Sequence, residues 1–212
     1  RLPRYAAGKP PVAIEGLQSY KLSSNENPFP PLPSVLEAIA AHPNVNRYPD
    51  PLATALRTEL ASFLDVPAED IVTGGGSLGA LNQLLATFAG QREDGTQDEV
   101  IYPWRSFEAY PISVGLSGAR SVQVPLLADG RHDLEAMAAA VTERTRMVLL
   151  CTPNNPTGPV LSTEEVEGFL AKVPSGVIVV IDEAYEDFVR DPDAVNGVEI
   201  YRRHQNAVVL RT

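Results

Sequence analysis

From Ile71 onward the sequence repeats one pattern. A short β-prone run is followed by a stretch whose apolar residues are spaced for one helix face. The runs are Ile71–Thr73, Val100–Tyr102, Ser121–Val124, Met147–Cys151, Val177–Ile181 and Ala207–Leu210. Between most of them lie Leu78, Leu81, Leu85 and Phe88 as one stripe, a helix over Phe107–Val114 and another over Leu134–Val141. Ser162 and Glu165 then form a capping box ahead of Val166, Phe169 and Leu170. Strands alternating with helices make βαβ units, so the expected class is α/β with a mostly parallel, doubly wound sheet. Val177–Ile181 is apolar throughout, as a strand covered on both faces requires. With 44% hydrophobic residues among 212, the chain can bury one sizeable core.

Upstream the pattern changes. Prolines 3, 10, 11, 28 and 30 interrupt any helix over residues 1–30, which read as an arm lying on something else. A helix is expected from Ser34 to Ala41. After a turn at Asn46–Pro51, Leu52, Leu56, Leu60 and Leu64 mark the face of another. The polar stretch Gln91–Asp98 reads as an exposed loop.

Charge and cysteine content narrow the partners. A net charge of -10 with scattered Lys and Arg argues against nucleic acid and anionic membranes. Cys151, alone in an apolar run, reads as a core thiol. One cysteine makes no internal disulfide, so a cytoplasmic protein is expected. No apolar run approaches the roughly 20 residues of a membrane span, and the Pro-rich start lacks the apolar block of a signal peptide.

In an open parallel sheet, ligands bind beyond the carboxyl ends of the strands. There the sequence places Gly74-Gly75-Gly76-Ser77, then Pro103-Trp104-Arg105-Ser106-Phe107, Pro153-Asn154-Asn155-Pro156-Thr157-Gly158, Asp182-Glu183-Ala184-Tyr185, and Arg211-Thr212. A glycine turn leading into a helix offers free N–H groups and a positive dipole end to an anion; without a ligand it is a tight turn. Gly74, Gly76 and Gly79 also fit a dinucleotide fingerprint, but its acidic partner should close the next strand, where Tyr102-Pro103 stand; Asp98 and Glu99 precede or open that strand. Gly75, Ser77 and Gly79 fit a hydrolase nucleophile elbow, with Asp182 and His204 following in the hydrolase order. That reading leaves the Pro153–Gly158 run unexplained, and His204 lies before its strand, where a solvated surface histidine is expected. Asp182 closes an apolar strand, where a carboxylate is costly without a partner. It is a helix cap, half of a salt bridge, or the partner of a buried cation such as a protonated pyridine nitrogen.

The runs P-N-N-P-T-G at 153–158 and D-E-A-Y at 182–185 resemble those of fold-type I, class II aminotransferases, which depend on pyridoxal 5'-phosphate (PLP). Leu22-Ser23-Ser24-Asn25-Glu26-Asn27-Pro28, Asn46-Arg47-Tyr48-Pro49-Asp50 and Val208-Val209-Leu210-Arg211-Thr212 are similar to the histidinol-phosphate aminotransferase branch. Trp104-Arg105-Ser106-Phe107-Glu108-Ala109-Tyr110-Pro111 resembles the aromatic (phenylalanine) aminotransferases of actinobacteria within it. The resemblance covers nearly the whole chain.

It implies transamination between an aromatic amino acid and 2-oxoglutarate, with histidinol phosphate as the alternative donor. Gly76 and Ser77 would hold the PLP phosphate, and Phe107 would stack on the ring. Asn155 and Tyr185 would address the ring hydroxyl oxygen, and Asp182 would pair with the ring nitrogen. Tyr48 would reach the phosphate of a second subunit, which implies a homodimer; Tyr5 and Asn25 are expected at the substrate. Residues 1–30 would be the arm and the start of the small domain, and 31–212 the PLP-binding large domain, incomplete at its carboxyl end. Relatives continue past Arg-Thr with Phe-Ser-Lys. The lysine that anchors the cofactor is therefore expected just after Thr212, and this chain looks like a piece of a longer protein. Relatives also carry a shorter turn where Gln91–Glu99 stands. A serine hydrolase built on Ser77 is the distant alternative. A noncatalytic PLP-binding regulator would need a basic helix-turn-helix that residues 1–30 do not spell.

Overall fold

Side chains alternate across a strand with a period of two, and that alternation divides the core of this protein. The computed structural model describes residues 12–21 and 24–212. These fall into two compact units that divide between Leu56 and Arg57.

The first unit is built from turns and one helix, α1 (Pro33–Ala40), none of whose residues is buried. Proline at its start supplies a preset φ where no N–H is needed. The Asn46–Pro51 turn is closed by Asp50, whose carboxylate accepts from the Leu52 and Thr54 amides at 3.0 and 2.8 Å. Ser24, Asn25 and Ala53 have positive φ.

Helix α2 (Thr54–Leu64) leads into the second unit, which holds a parallel sheet. Its strands are β1 (Glu99–Trp104), β2 (Arg120–Pro125), β3 (Thr145–Cys151), β4 (Ile178–Asp182) and β5 (Ala207–Leu210). Their order is β2-β1-β3-β4-β5, with every neighbouring pair parallel. Ile101, Val148, Leu150, Val179 and Ile181 point to one face. There they meet Met137 of α5 (Leu134–Ala139), Val166 and Phe169 of α6 (Thr163–Leu170) and Ile200 of α7 (Gly197–Tyr201). Val100, Tyr102, Met147, Leu149 and Val180 point to the other. There they meet Leu81 and Leu85 of α3 (Gly76–Phe88) and Tyr110 and Val114 of α4 (Tyr110–Ser117). The α/β class with a doubly wound sheet holds. The Ser162–Glu165 capping box that opens α6 is formed in both directions.

Two expectations need correction, and the exposed loop at Gln91–Asp98 holds except at buried Asp98. Ile71–Thr73 is extended but is not a strand: its backbone joins no ladder among the described residues, and Val72 is exposed. A strand needs a neighbour to take its N–H and C=O groups, and three β-prone residues cannot supply one. The helix placed over Phe107–Val114 starts later, at Tyr110, because Phe107–Ala109 make a turn that bonds the Tyr110 amide to the Phe107 carbonyl and Pro111 sits in the first helical turn. The Gln91–Asp98 loop is tied down at both ends. Gln91 bridges Gln97, and in buried Asp98 the Oδ1 accepts from Arg92 Nε and Nη2 (2.9 and 2.8 Å) and the Oδ2 from the Gly90 amide.

The remaining sheet charge is at the amino edge. Glu99 is fully buried, and its carboxylate accepts from Arg120 (2.5 Å), Arg144 (2.9 Å) and the Thr142 hydroxyl (2.7 Å). Burial alone would raise its pKa; the three donors outweigh it and hold the group below the usual carboxylate value.

Candidate active site

β1 has β2 on one side and β3 on the other, so the chain order reverses between β1 and β3. A crevice is expected at such a switch point, and the strand pairing stops short there. β1 and β3 pair only as far as Ile101↔Val148, although β1 continues to Trp104 and β3 to Cys151. Beyond that point the two strands part. The loops after β1, β3 and β4 carry the residues gathered here.

Asp182 ends β4 and is 5% exposed. Its Oδ2 accepts from the Tyr110 hydroxyl at 2.6 Å, and its Oδ1 from the Ala184 amide at 3.3 Å. Among the described residues no Lys, Arg or His forms an ion pair with it. Its register neighbour on β3 is Cys151. Burial pushes the Cys151 thiol up to about 11, with the Asp182 charge adding to the rise, and pushes the Tyr110 phenol well above its usual value. Both neighbours are thus neutral at pH 7, and the Asp182 carboxyl is raised by its own desolvation, opposed by the Tyr110 and Ala184 hydrogen bonds. An uncompensated buried carboxylate is costly, and this site is suited to a cationic ligand group.

The other positions surround that carboxylate. Phe107 packs edge-to-face on Tyr110, ring centroids 5.6 Å apart. Asn155 donates its amide N–H to the Tyr185 hydroxyl at 3.2 Å, so an amide and a phenol converge on one point. The glycine turn leads into α3. A Cβ on Gly74 would lie 2.8 Å from the Ala80 amide nitrogen, and Gly76 has φ +68°, so the turn can lie against its helix only with glycine at these places. A Cβ on Gly75 would meet nothing within 4 Å. The Ser77 amide donates to the Thr212 hydroxyl at 3.2 Å, which brings the helix start to the end of β5. Amides at a helix start, with the positive end of its dipole, are chemically suited to an anion. Among the described residues no cluster of three or more metal-ligating side chains occurs.

The remaining expectations are placed as follows. Tyr48 is fully exposed in the first unit, and Asn25 stands there at φ +50°. Tyr5 lies outside the described residues. His204 pairs with Glu167 at 2.7 Å, before β5, and Asp182 pairs with Tyr110. No Ser77–His204–Asp182 relay is assembled. The acidic residues near the glycine turn's next strand, Asp98 and Glu99, are held by arginines at the amino edge, so the dinucleotide fingerprint has no acidic residue in place.

Tyr110 was not singled out by the sequence. It stands three residues after Phe107, a spacing that puts both on one side of a helix start, but only the packing shows that it reaches β4. Also unsignalled is Glu183, whose carboxylate accepts the Gly197 amide (2.6 Å) and a two-pronged contact from Arg211 (3.0 and 2.9 Å), tying β4 to β5.

This sheet, with its crevice at the β1/β3 switch and a carboxylate closing β4, matches a known class. The family model for aminotransferase class I and II covers residues 18–212. The chain belongs to that family. It is 54% identical over its whole length to the aromatic amino acid aminotransferase of Streptomyces coelicolor and 52% identical to that of Thermobifida fusca, spanning 57% of each. Among solved structures, the PLP complex of histidinol-phosphate aminotransferase from Sinorhizobium meliloti superposes with a TM-score of 0.79 at 31% identity. That match covers 89% of this chain and 50% of the other.

Proposed function

We propose that the protein to which this chain belongs is a PLP-dependent aminotransferase acting on aromatic amino acids, with 2-oxoglutarate as the second substrate. The observation that carries the proposal is Asp182: a buried carboxylate at the crevice whose neighbours are neutral. The donor set around it suits PLP. The α3 amides and the Gly76–Ser77 turn would hold the phosphate, Asp182 would pair with the ring nitrogen, and Phe107 would cover the ring. Asn155 and Tyr185, already hydrogen-bonded to each other, would address the ring oxygen. When bound, PLP supplies an electron sink for the substrate α-carbon.

The chain's own residues account for orientation and charge. Asp182 would take its counter-charge from a protonated ring nitrogen, which would oppose the rise that burial causes in its pKa and keep it ionised. Tyr110, held protonated by burial, donates to the same carboxylate and fixes its plane. The Gly76–Ser77 turn would hold the phosphate end, Asp182 the ring nitrogen, and Phe107 the ring face. Relatives 47–54% identical carry the aromatic name, which favours aromatic donors over histidinol phosphate.

The full protein would be a cytoplasmic homodimer, with Tyr48 reaching the phosphate of a second copy and Tyr5 and Asn25 at the substrate; its elution volume on a sizing column tests the dimer. Among the described residues no helix is long and apolar enough to cross a membrane. The function is tested on the full-length protein by borohydride reduction with PLP, followed by mass mapping, and by rates with phenylalanine and with histidinol phosphate. A pyridoxyl adduct on a lysine just after Thr212 and faster turnover of phenylalanine support it. No adduct, or no transamination of either donor, overturns it.

A further inference from the structure

We propose that Asn154 is a positioning residue that clamps the loop after β1 to the loop after β3, so that Phe107 and Asn155 are held on opposite banks of one crevice. The inference rests on the cofactor reading above and names a residue which that reading does not use.

The strands cannot do this themselves. Their ladder ends at Ile101↔Val148, so the last three residues of each strand and the loops beyond lack a shared backbone bond across the gap. Asn154 spans it with a side chain that is fully engaged. Its Oδ1 accepts from the Ser106 hydroxyl at 2.7 Å, and its Nδ2 donates to the Arg105 carbonyl at 3.2 Å. The two partners, Arg105 and Ser106, directly precede Phe107 in the loop after β1. The same Nδ2 donates to the Thr157 hydroxyl at 2.7 Å, and that hydroxyl donates to the Gly130 carbonyl at 2.9 Å. The Asn154 backbone closes its own loop: its amide donates to the Pro159 carbonyl, and its carbonyl accepts from the Gly158 amide at 2.7 Å.

Ser106 is 0% and Asn154 3% exposed, so water cannot replace these bonds, and leaving Ser106 and Arg105 without their partner is costly. Phe107 follows Ser106 directly, and Asn155 follows Asn154. Loosening the clamp therefore loosens two cofactor contacts at once while sparing Asp182, which is held from β4 and α4.

The test uses the full-length protein with Asn154→Ala, Ser106→Ala and the double variant. In the cofactor-free protein, hydrogen–deuterium exchange should speed up together in residues 104–108 and 153–158 of Asn154→Ala, with β4 unchanged. With PLP, the circular dichroism induced in the cofactor band should fall to less than half. The kcat should drop about 10-fold, with KM for the amino acid changed less than threefold. Ser106→Ala should move the same readouts less, and the double variant should be no worse than Asn154→Ala, because the two residues act as one unit. Ser106→Ala also serves as the test should Asn154→Ala fail to fold. Wild-type exchange in both loops, or a double variant whose losses add, overturns the clamp while leaving the function standing. A wild-type protein that gives no cofactor band overturns both.

Discussion

Two buried carboxylates sit at opposite ends of the same sheet. Glu99, at the amino edge, has two guanidiniums and a hydroxyl on it and is held below its usual pKa. Asp182, at the carboxyl edge, has one phenol and one amide and is held above it. Burial is nearly the same, at 0% and 5%, so desolvation does not distinguish them; the partners do. The amino edge is electrically complete within the chain and ties β1, β2 and the segment before β3 together. The carboxyl edge has only neutral donors on its carboxylate, and under the proposed function the cofactor would supply the missing charge. At one end the charge is balanced within the chain, and at the other it is not.

Substitution should break the comparison in opposite directions. The largest effect is expected for Asp182→Asn in the full-length protein. Losing one preorganised electrostatic partner should lower kcat on the order of 10²–10³-fold, while the thermal midpoint stays equal or rises because a desolvated charge has gone. Steady-state rates and a melting curve on the same sample decide it; a variant that melts earlier yet keeps its kcat would reverse the assignment. Glu99→Gln should do the converse. It should cost about 3 kcal/mol in urea unfolding, the scale for breaking a buried ion pair, with kcat of the folded fraction within twofold.

The alternation that defined the α/β class was legible because short β-prone apolar runs and helix-spaced apolar stripes leave separate marks on a sequence. The capping box at Ser162 was legible because it is local. Ile71–Thr73 misled because β-propensity describes residues, while a strand is a relation to a neighbour. Asp182 could be picked out because a carboxylate ending an apolar strand is conspicuous. Tyr110, Ser106 and Asn154 gave no comparable signal, since each acts across elements far apart in the chain. The same holds for Glu99, which in the sequence is one acidic residue at the end of a polar stretch; its arginines lie 21 and 45 positions away.

His132 sharpens the comparison through pH. It is buried, and neither ring nitrogen has a hydrogen-bond partner among the described residues; the nearby Asn154 side chain only partly opposes the effect of burial. Desolvation lowers its pKa from the usual 6.5 to about 4. The unfolded chain takes up this proton below pH 6.5 and the folded protein does not until about pH 4. Its contribution is therefore complete above pH 6.5 and is lost as the pH falls through that window, by about 3 kcal/mol in all. Asp182 runs the other way: its raised pKa costs stability as the pH rises from the usual carboxylate value. Urea titrations at pH 4.5 and 7.5 should show the acid loss in the wild type and a smaller loss in His132→Leu. An unchanged loss in that variant would assign the acid limb to the carboxylates.

The smallest effect is expected at Tyr110, and it separates the two edges most finely. Tyr110→Phe keeps the ring that packs on Phe107 and Tyr102 and removes one hydrogen bond from Asp182. A bond to a buried group of this kind contributes about 1–2 kcal/mol, so kcat at neutral pH should fall roughly 10-fold. The direction of the pH shift is the stronger test. The Tyr110 hydroxyl stabilises ionised Asp182 and opposes the rise caused by burial. Without it the carboxyl keeps its proton to higher pH, so the acid limb of the kcat profile should move up. At the amino edge the corresponding change, Thr142→Val, removes a hydroxyl from Glu99 but leaves both guanidiniums, and the kcat profile should not move. If both variants shift the profile, or neither does, then Tyr110 supports packing alone and Asp182 is ionised by the ligand without its help.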